Sequence, residues 1–381
     1  MPKKKKVLIT GGAGFIGSAL SLELLRRGHD VRVLDCLSRQ VHGSDPLISE
    51  LFKKIEGKVD FQRGDVTCKE DLIKGLSGVD TVVHLAAETG TGQSMYQINR
   101  YVNVNIGGTG LLLDLISNNQ YPITKLVIAS SRAVCGEGKY KCNIHGVIYP
   151  KARLEENLSI GRFEHFCPIC NKELKLCKTD EDSWLEPASV YGITKLSQEQ
   201  LVLTAAKALG ISAIAYRYQN VYGPGQSLIN PYTGILSIFS TQFRQNRPVN
   251  IFEDGLESRD FIYIDDVVNA TVLGIEFPDL ISEVFNLGSG VATTVLDLAS
   301  SLKQRFNSVS QINISGQYRL GDIRHNVADI GKIGSILGFK PSNSIEDGLE
   351  KFCEWVNTCS LDSENQYEKS LDELRSKGLF K

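Results

Sequence analysis

The stretch Thr10-Gly11-Gly12-Ala13-Gly14-Phe15-Ile16-Gly17 constrains this chain more than any other. It follows an apolar, β-rich run at residues 6–10 and opens a segment, 15–27, whose apolar residues recur at helical spacing. Glycines three apart (Gly11, Gly14, Gly17) and the tighter Gly12-x-Gly14-x-x-Gly17 are both present. A backbone that passes from strand to helix in so few residues, and lets a pyrophosphate rest on helix N–H groups, calls for glycine there. The next β-run ends in Asp35, eighteen residues after Gly17. At that distance a carboxylate reaches the hydroxyls of an adenosine ribose. The pattern predicts a βαβ unit that binds a dinucleotide, with Phe15 and Ile16 in the turn beside the glycines. A carboxylate at Asp35 repels a 2′-phosphate and so favours NAD over NADP, with Arg39 nearby as the one opposing feature.

The rest of the first half keeps the same rhythm. Strands are predicted at 6–10, 31–35, 59–62, 81–85, 125–130 and 212–218, and helices at 15–27, 70–76, 104–117 and 191–209. This alternation is that of an α/β protein, a Rossmann-type doubly wound parallel sheet with a smaller C-terminal α/β lobe. Asp65-Val66 follows the third run, where a carboxylate reaches an adenine amino group, although Asp65 could equally cap the next turn. Leu85-Ala86-Ala87 ends the fourth run with small residues that let a cofactor lie across the strand ends. After Gly223 the periodicity loosens into short strands (249–252, 261–264, 284–287) and helices (234–244, 265–275, 294–306). The expected division is a dinucleotide-binding domain over 1–221, an interleaved substrate lobe over 222–357, and a charged tail over 358–381 forming a loosely docked helix. Residues 136–184 break the rhythm, and a structureless loop of about fifty residues inside a compact domain is improbable.

Composition narrows the possibilities. The chain has 381 residues, 42 basic against 44 acidic for a net charge of −2, and 42% hydrophobic residues, enough for a full core. The only basic run is Lys3–Lys6, which is no footprint for nucleic acid. No window approaches the roughly eighteen apolar residues of a membrane span. Nine cysteines are too few for a disulfide scaffold in a chain of this length. The expectation is a cytoplasmic protein whose partner is a small molecule, with neither nucleic acid nor membrane involved.

Tyr191 and Lys195 stand four apart at the start of the helix predicted over 191–209, so phenol and ammonium share a face. A phenol with a pKa near 10 is a poor base at neutral pH. A neighbouring Lys charge, with a bound nicotinamide cation, stabilises the phenolate. Ser130-Ser131 ends the fifth strand, where a hydroxyl could face the same site. Glycine turn, strand-end serine and Tyr-x-x-x-Lys, in this order, resemble the extended short-chain dehydrogenase/reductase family and its nucleotide-sugar epimerase/dehydratase branch. The likeness runs from Lys6 to about Val356, residues 136–184 excepted.

The resemblance implies roles. Tyr191 is the acid/base on a sugar hydroxyl, Ser131 bonds that oxygen, and Lys195 holds the nicotinamide ribose and tunes Tyr191. Asn105 matches a position near the cofactor that supports the active-site strand and helix. Asn220, Arg259 in Ser258-Arg259-Asp260, and Arg324 in Gly321-Asp322-Ile323-Arg324 match contacts to a sugar-nucleotide diphosphate, for which guanidinium groups are the natural partners. Dehydratases of the branch place an Asp-Glu pair directly after the catalytic hydroxyl. Arg132 and Ala133 stand there here, which leaves epimerisation with retained NAD, or net reduction of a 4-ketosugar. Gly92-Gln93-Ser94-Met95-Tyr96, Gly136-Glu137-Gly138 and Asn230-Pro231-Tyr232-Thr233 are similar to a subgroup of 4-epimerases acting on dTDP-6-deoxyhexoses such as dTDP-L-rhamnose. Gln93, Ser94, Asn230 and Tyr232 would then line the sugar-nucleotide pocket, with UDP-hexoses as the alternative substrates. Two departures from the family pattern are Cys135, where Tyr is usual, and Cys36, where Asn often follows the ribose Asp. Members pair through the helices that fall here at 104–117 and 191–209, which implies a homodimer.

The irregular segment carries Cys142-x-x-His145 and, twenty-one residues on, Cys167-x-x-Cys170. Two short chelating pairs closing such a loop form a structural zinc pattern with no open position. A metal would order a segment with few apolar anchors. Unliganded thiols are the alternative, with Cys177 and His165 as substitute ligands.

Overall fold

The computed structural model describes residues 3–228, 230, 232, 234–360 and 366–381. Pro231 and Thr233, which belong to the turn read as pocket-lining, lie outside the described residues. Seven strands form one wholly parallel sheet: β1 (Lys6–Thr10), β2 (Asp30–Asp35), β3 (Asp60–Arg63), β4 (Thr81–His84), β5 (Lys125–Ser131), β6 (Ser212–Tyr218) and β7 (Ser282–Leu287). Their order is β7-β6-β5-β4-β1-β2-β3. The chain reverses direction across the sheet at β1, which pairs with β2 on one side and β4 on the other. A crevice opens at such a switch point, beyond the carboxyl ends of the strands. Every strand proposed from sequence for the first half is present to within two residues at each end. The run at 284–287, read as part of the small lobe, instead extends the main sheet by pairing in parallel with β6. Its Phe285, Asn286 and Leu287 are fully buried, as an element covered on both faces requires.

Two apolar layers cover the sheet. One gathers Leu20 and Leu24 of the helix Phe15–Arg26 with Val267, Ala270 and Ile275 of the helix Ile264–Glu276. The other gathers Leu112 and Ile116 of the helix Gly108–Asn118 with Val202 and Ala206 of the helix Val190–Leu209. That last helix is framed by its own sequence: Ser189 Oγ accepts the Gly192 N–H at 3.1 Å, and Gly210 ends it with φ +66°. At β5 the buried Lys125 donates to the carbonyls of Gly274 and Ile275 at 2.9 and 3.3 Å, closing the far end of the helix Ile264–Glu276.

The smaller lobe combines strands Asn220–Tyr222, Ser258–Tyr263 and Ala292–Thr294 with a pair, Val249–Ile251 and Ile312–Ile314. The helices Ile235–Arg244, Val295–Arg305 and Ile345–Thr358 pack around them, the last of which the sequence reading left without an assigned element at the end of the lobe. Residues 136–184 are ordered by their own three-stranded sheet, with Tyr140–Cys142 between Gly146–Ile148 and Lys175–Leu176. The tail forms a helix, Gln366–Ser376, that is firmly seated: Leu371, Leu374 and Phe380 are 3–5% exposed. Tyr367, Leu371 and Leu374 make a helical stripe among charges, so overall polarity concealed an amphipathic element. Among the described residues no helix is long and apolar enough to cross a membrane.

One buried ion pair fastens the helix Val190–Leu209 to the sheet. Glu199, 3% exposed, accepts from Ser130 Oγ at 2.5 Å and from Arg217 at 2.7 and 3.1 Å. Deleting the carboxylate strands a buried guanidinium, which costs about 3–5 kcal/mol. Glu199→Leu is therefore expected to lower the unfolding free energy by that amount, read as a fall in the urea midpoint, and a wild-type midpoint would contradict the assignment.

Candidate active site

A cavity of about 620 Å³ runs from the glycine turn across the ends of β1, β4 and β5 and into the smaller lobe. At its first end the turn is packed so closely that side chains are excluded. A Cβ on Gly17 would lie 2.4 Å from the Gly11 carbonyl oxygen, and one on Gly11, at φ +69°, 2.8 Å from the Ala86 nitrogen. Gly14 then caps the helix Phe15–Arg26, leaving its first N–H groups toward the cavity. Asp35 holds the turn from outside: its carboxylate accepts the N–H groups of Ala13 at 3.0 Å and Leu37 at 2.8 Å. Burial raises its pKa, while the Leu37 N–H works the other way. Phe15, Ile16, Asp35, Asp65, Val66, Leu85, Ala86 and Ala87 all line this end. Asp65 caps the next turn, accepting from the Thr67 N–H at 2.8 Å, and also stands at the cavity wall.

Ser131, Tyr191 and Lys195 all line the cavity, with Tyr191 hydrogen-bonded to Ser131. Burial raises the Tyr191 pKa, opposed by a hydrogen bond with Ser131 and by the Arg132 charge. Lys195 Nζ donates to the Ala129 carbonyl at 2.9 Å, and burial pushes its pKa down to about 7. The start of this helix is pinned twice. Ser94 Oγ accepts the Tyr191 N–H at 3.0 Å, and Asn105 Nδ2 donates to Thr194 Oγ1 at 2.9 Å while its Oδ1 accepts the Glu88 N–H at 2.8 Å. Asn105 is fully buried in a π-helical turn, Val102–Gly107. It supports the site from behind, without standing at the cavity wall.

The amino-acid sequence matches the model described as "NAD dependent epimerase/dehydratase family" over residues 7–150 and 171–288. The chain belongs to this family. It is 36% identical to the dTDP-L-rhamnose 4-epimerase of Burkholderia thailandensis over 92% of this chain and 95% of that protein. With a putative UDP-glucose 4-epimerase of Methanocaldococcus jannaschii it shares 28% identity over 92% of this chain and 98% of the relative. Among solved structures, the UDP-glucuronic acid 4-epimerase of Bacillus cereus, in complex with UDP-glucuronic acid and NAD, superposes with a TM-score of 0.75. Identity there is 28%, with 92% of this chain and 99% of the other covered. The chain is thus an epimerase-family enzyme, of the isomerase class.

Beyond Tyr191, the second end of the epimerase cavity is polar and charged. Arg132, Arg259 and Arg319 line it together with Asn220, Asn230, Tyr232 and the carboxylates Glu257 and Asp322. Arg132 Nε donates to Asn220 Oδ1 at 2.7 Å, and burial lowers the Arg132 pKa to about 10. Arg259 is held by the carbonyls of Ile323 and Arg324, at 2.8 and 2.9 Å, and by Asp322 Oδ1 at 3.2 Å. Three residues chosen from sequence sit elsewhere. Gln93 and Ser94 are buried behind the wall, Gln93 exchanging hydrogen bonds with Gln40, while Thr91, Gly92 and Met95 face the space. Arg324 is fully buried and spends its guanidinium on Glu164, Glu253 and Asp254 at 2.7–3.0 Å. Arg319, five residues earlier, lines the cavity, its guanidinium 4.7 Å above the Phe252 ring. Its Nε is buried with no hydrogen-bond partner among the described residues. Two arginines so close in sequence gave pattern reading no way to tell the anchored one from the available one.

The gap in the family match falls at 151–170, inside the segment that bears Cys142, His145, Cys167 and Cys170. Their ligand atoms all lie within 4.8 Å of one another. His145 Nδ1 is 3.6 Å from Cys142 Sγ and 3.3 Å from Cys167 Sγ, and the Cys142 and Cys170 sulfurs are 3.7 Å apart. Bonds of about 2.1–2.3 Å to a tetrahedral zinc imply ligand separations of about 3.4–3.8 Å, so the donor set fits that ion. A sulfur pair at 3.7 Å is far from the roughly 2.05 Å of a disulfide. This knuckle stands apart from Tyr191 and contributes nothing to the cavity wall.

Because a Cβ at position 17 meets backbone and not a flexible side chain, Gly17→Ala should purify with no bound dinucleotide. Chromatography of the denatured protein supernatant measures this, and wild-type dinucleotide content in the variant would contradict the reading of the turn.

Proposed function

We propose that this chain is a nucleotide-sugar 4-epimerase that retains NAD and acts on a dTDP-6-deoxyhexose such as dTDP-L-rhamnose. The observation that carries the reaction type is the meeting of Ser131, Tyr191 and Lys195 between a dinucleotide cradle and a polar, charged pocket, with Arg132-Ala133 where elimination would need an acid and a base. The 36% identity to a dTDP-L-rhamnose 4-epimerase supports the substrate class. Relatives named for UDP-sugars keep that nucleotide as the second possibility.

The chain's own groups divide the work. The turn Gly11–Gly17, Asp35, Asp65 and Val66 would hold NAD, which supplies a hydride acceptor and, after the ketone has turned over, the donor. The Tyr191 oxygen takes the proton of the sugar C4 hydroxyl and later returns it, with Ser131 bonded to the same oxygen. Lys195, low in pKa while buried alone, regains its charge beside a phenolate and lowers the Tyr191 pKa in turn. Arg259 and Arg319 bind the diphosphate. Epimerisation requires the sugar to show both faces of C4 while staying in the cavity, so an anchor distant from the reacting carbon is the arrangement it needs.

Incubation with dTDP-L-rhamnose and no added coenzyme, followed by proton NMR, tests this. A second set of sugar signals should grow to a constant ratio, and Tyr191→Phe should abolish it, a loss of about 100-fold or more, while bound NAD is unchanged. An unchanged spectrum with wild-type protein shown to hold NAD would eliminate dTDP-L-rhamnose as substrate, and undiminished turnover by Tyr191→Phe would remove Tyr191 as the base.

The same reading includes a structural zinc held by Cys142, His145, Cys167 and Cys170. It would order the insertion and perform no chemistry. Elemental analysis of protein purified without chelators should give about one zinc per chain. Cys167→Ser should lose it and expose 136–184 to proteolysis, and a zinc-free wild type would exclude the site. Pairing through the helices Gly108–Asn118 and Val190–Leu209 as a homodimer is supported by Ile98, Val102, Ile193 and Leu201, which are 38–51% exposed on that side.

A further inference from the structure

The tail after the smaller lobe does more than cover apolar surface. Tyr367, Leu374 and Leu379 stand in the wall of the active-site cavity, at the end away from the glycine turn and beside Arg319. The segment touches both lobes there. On the smaller lobe, the N–H and carbonyl of Lys381 pair with those of Tyr318 at 3.1 and 2.8 Å, and Leu320 N–H donates to the Leu379 carbonyl at 3.0 Å. Phe380 packs on Phe252, ring centroids 4.8 Å apart. On the dinucleotide-binding side, Leu374 closes on Gly92, within 3.5 Å of where a Cβ of that glycine would stand. Tyr232, which also lines the cavity, donates its hydroxyl to Glu373 at 2.7 Å. The Tyr367 hydroxyl shares a hydrogen bond with Arg319.

We propose that residues 366–381 are part of the substrate site, a strap that closes the cavity over the nucleoside diphosphate of the bound sugar nucleotide. Tyr367, Leu374 and Leu379 supply its contact surface, and the Glu373–Tyr232 hydrogen bond holds it shut. The assignment of the ligand rests on the nucleotide-sugar reading above, while the placement of the strap does not. If the sugar is centred on Tyr191 and the dinucleotide fills the first end, only the strap end remains for the nucleotide. Closure has a chemical purpose. At the ketone level the sugar would have given its C4 hydride to the bound NAD and its hydroxyl proton to Tyr191. A ketosugar that escaped then would leave an enzyme holding reduced coenzyme and unable to begin another cycle.

Titration calorimetry on full-length, NAD-loaded protein with dTDP and with UDP tests the contact without requiring turnover. Tyr367→Ala should weaken the nucleotide that wild type prefers by roughly tenfold, with NAD content and melting temperature unchanged. Tyr367→Leu, which keeps apolar bulk, serves where the alanine variant melts early. Glu373→Ala, which removes the acceptor, should accumulate absorbance at 340 nm as activity decays while turning over substrate, where wild type shows none. Affinities within twofold of wild type in the Tyr367 variants, together with no 340 nm signal from Glu373→Ala, would overturn the strap. A wild type that binds neither dTDP nor UDP would instead overturn the nucleotide-sugar reading, and the ligand assigned to the strap with it.

Discussion

Everything in this fold is built around the contact of one backbone with another at Gly17 and Gly11. The helix Phe15–Arg26 can start where it does only because position 17 carries no side chain, with the Gly11 carbonyl and the Gly12 Cα in the space a Cβ would need. That approach brings the helix N-terminus over the end of β1, at the point where strand order reverses. Asp35, at the end of β2, locks the turn through Ala13 and Leu37. One carboxylate thereby shapes the cradle and presents itself to whatever lies in it. The cavity, the placing of Tyr191 across the sheet from the turn, and the direction in which a second ligand must extend all follow from this.

Strands and helices were legible in the sequence where burial imposes a short period. Residues 6–10 and 212–218 are nearly continuous apolar runs because both faces are covered, and Tyr191 and Lys195 share a face because a helix repeats every 3.6 residues. Motifs that span only a few residues were legible as units: the turn and the Tyr–Lys pair line one cavity, and the ligand atoms of the two Cys/His pairs come within 4.8 Å of one another. What stayed hidden depends on contacts between distant segments. Nothing local distinguishes Arg319 from Arg324, since their difference lies in Glu164, Glu253 and Asp254, which reach Arg324 and not its neighbour. Arg132 was read only as a missing acid, yet it stands in the cavity bonded to Asn220. The tail seemed a polar appendage because its stripe, Tyr367, Leu371 and Leu374, is narrow and crowded by charge.

The insertion at 136–184 shows how a segment with little apolar content is kept in one place. Its own core is four residues, Tyr140, Cys142, Cys167 and Leu174. Charge does the rest. Arg153 makes a bidentate pair with Glu253 at 2.7 and 2.8 Å and donates to the Asp322 carbonyl at 2.9 Å. Glu137 accepts the Arg324 N–H at 2.8 Å and lies 2.9 Å from His165. Buried ion pairs of this kind add little net stability over apolar packing, but losing one member is severe. Their effect here is positional: the segment 322–324 that they hold supplies the carbonyls that orient Arg259 toward the cavity.

A site for epimerisation faces opposing demands, since the ligand must move to be inverted and must not leave before the second hydride transfer. The structure separates the two spatially. At the Tyr191 hydroxyl the interactions are the Ser131 hydrogen bond and the Arg132 charge, groups that act on a reacting hydroxyl and leave the rest of a sugar ring ungripped. Toward the far end the wall carries Arg259, Arg319, Phe252 and Tyr367, the side chains to which the proposed grip on a diphosphate and its nucleoside is assigned. Affinity concentrated on the part that does not react allows the reacting part to be held weakly, which is how binding energy serves a turnover step instead of opposing it.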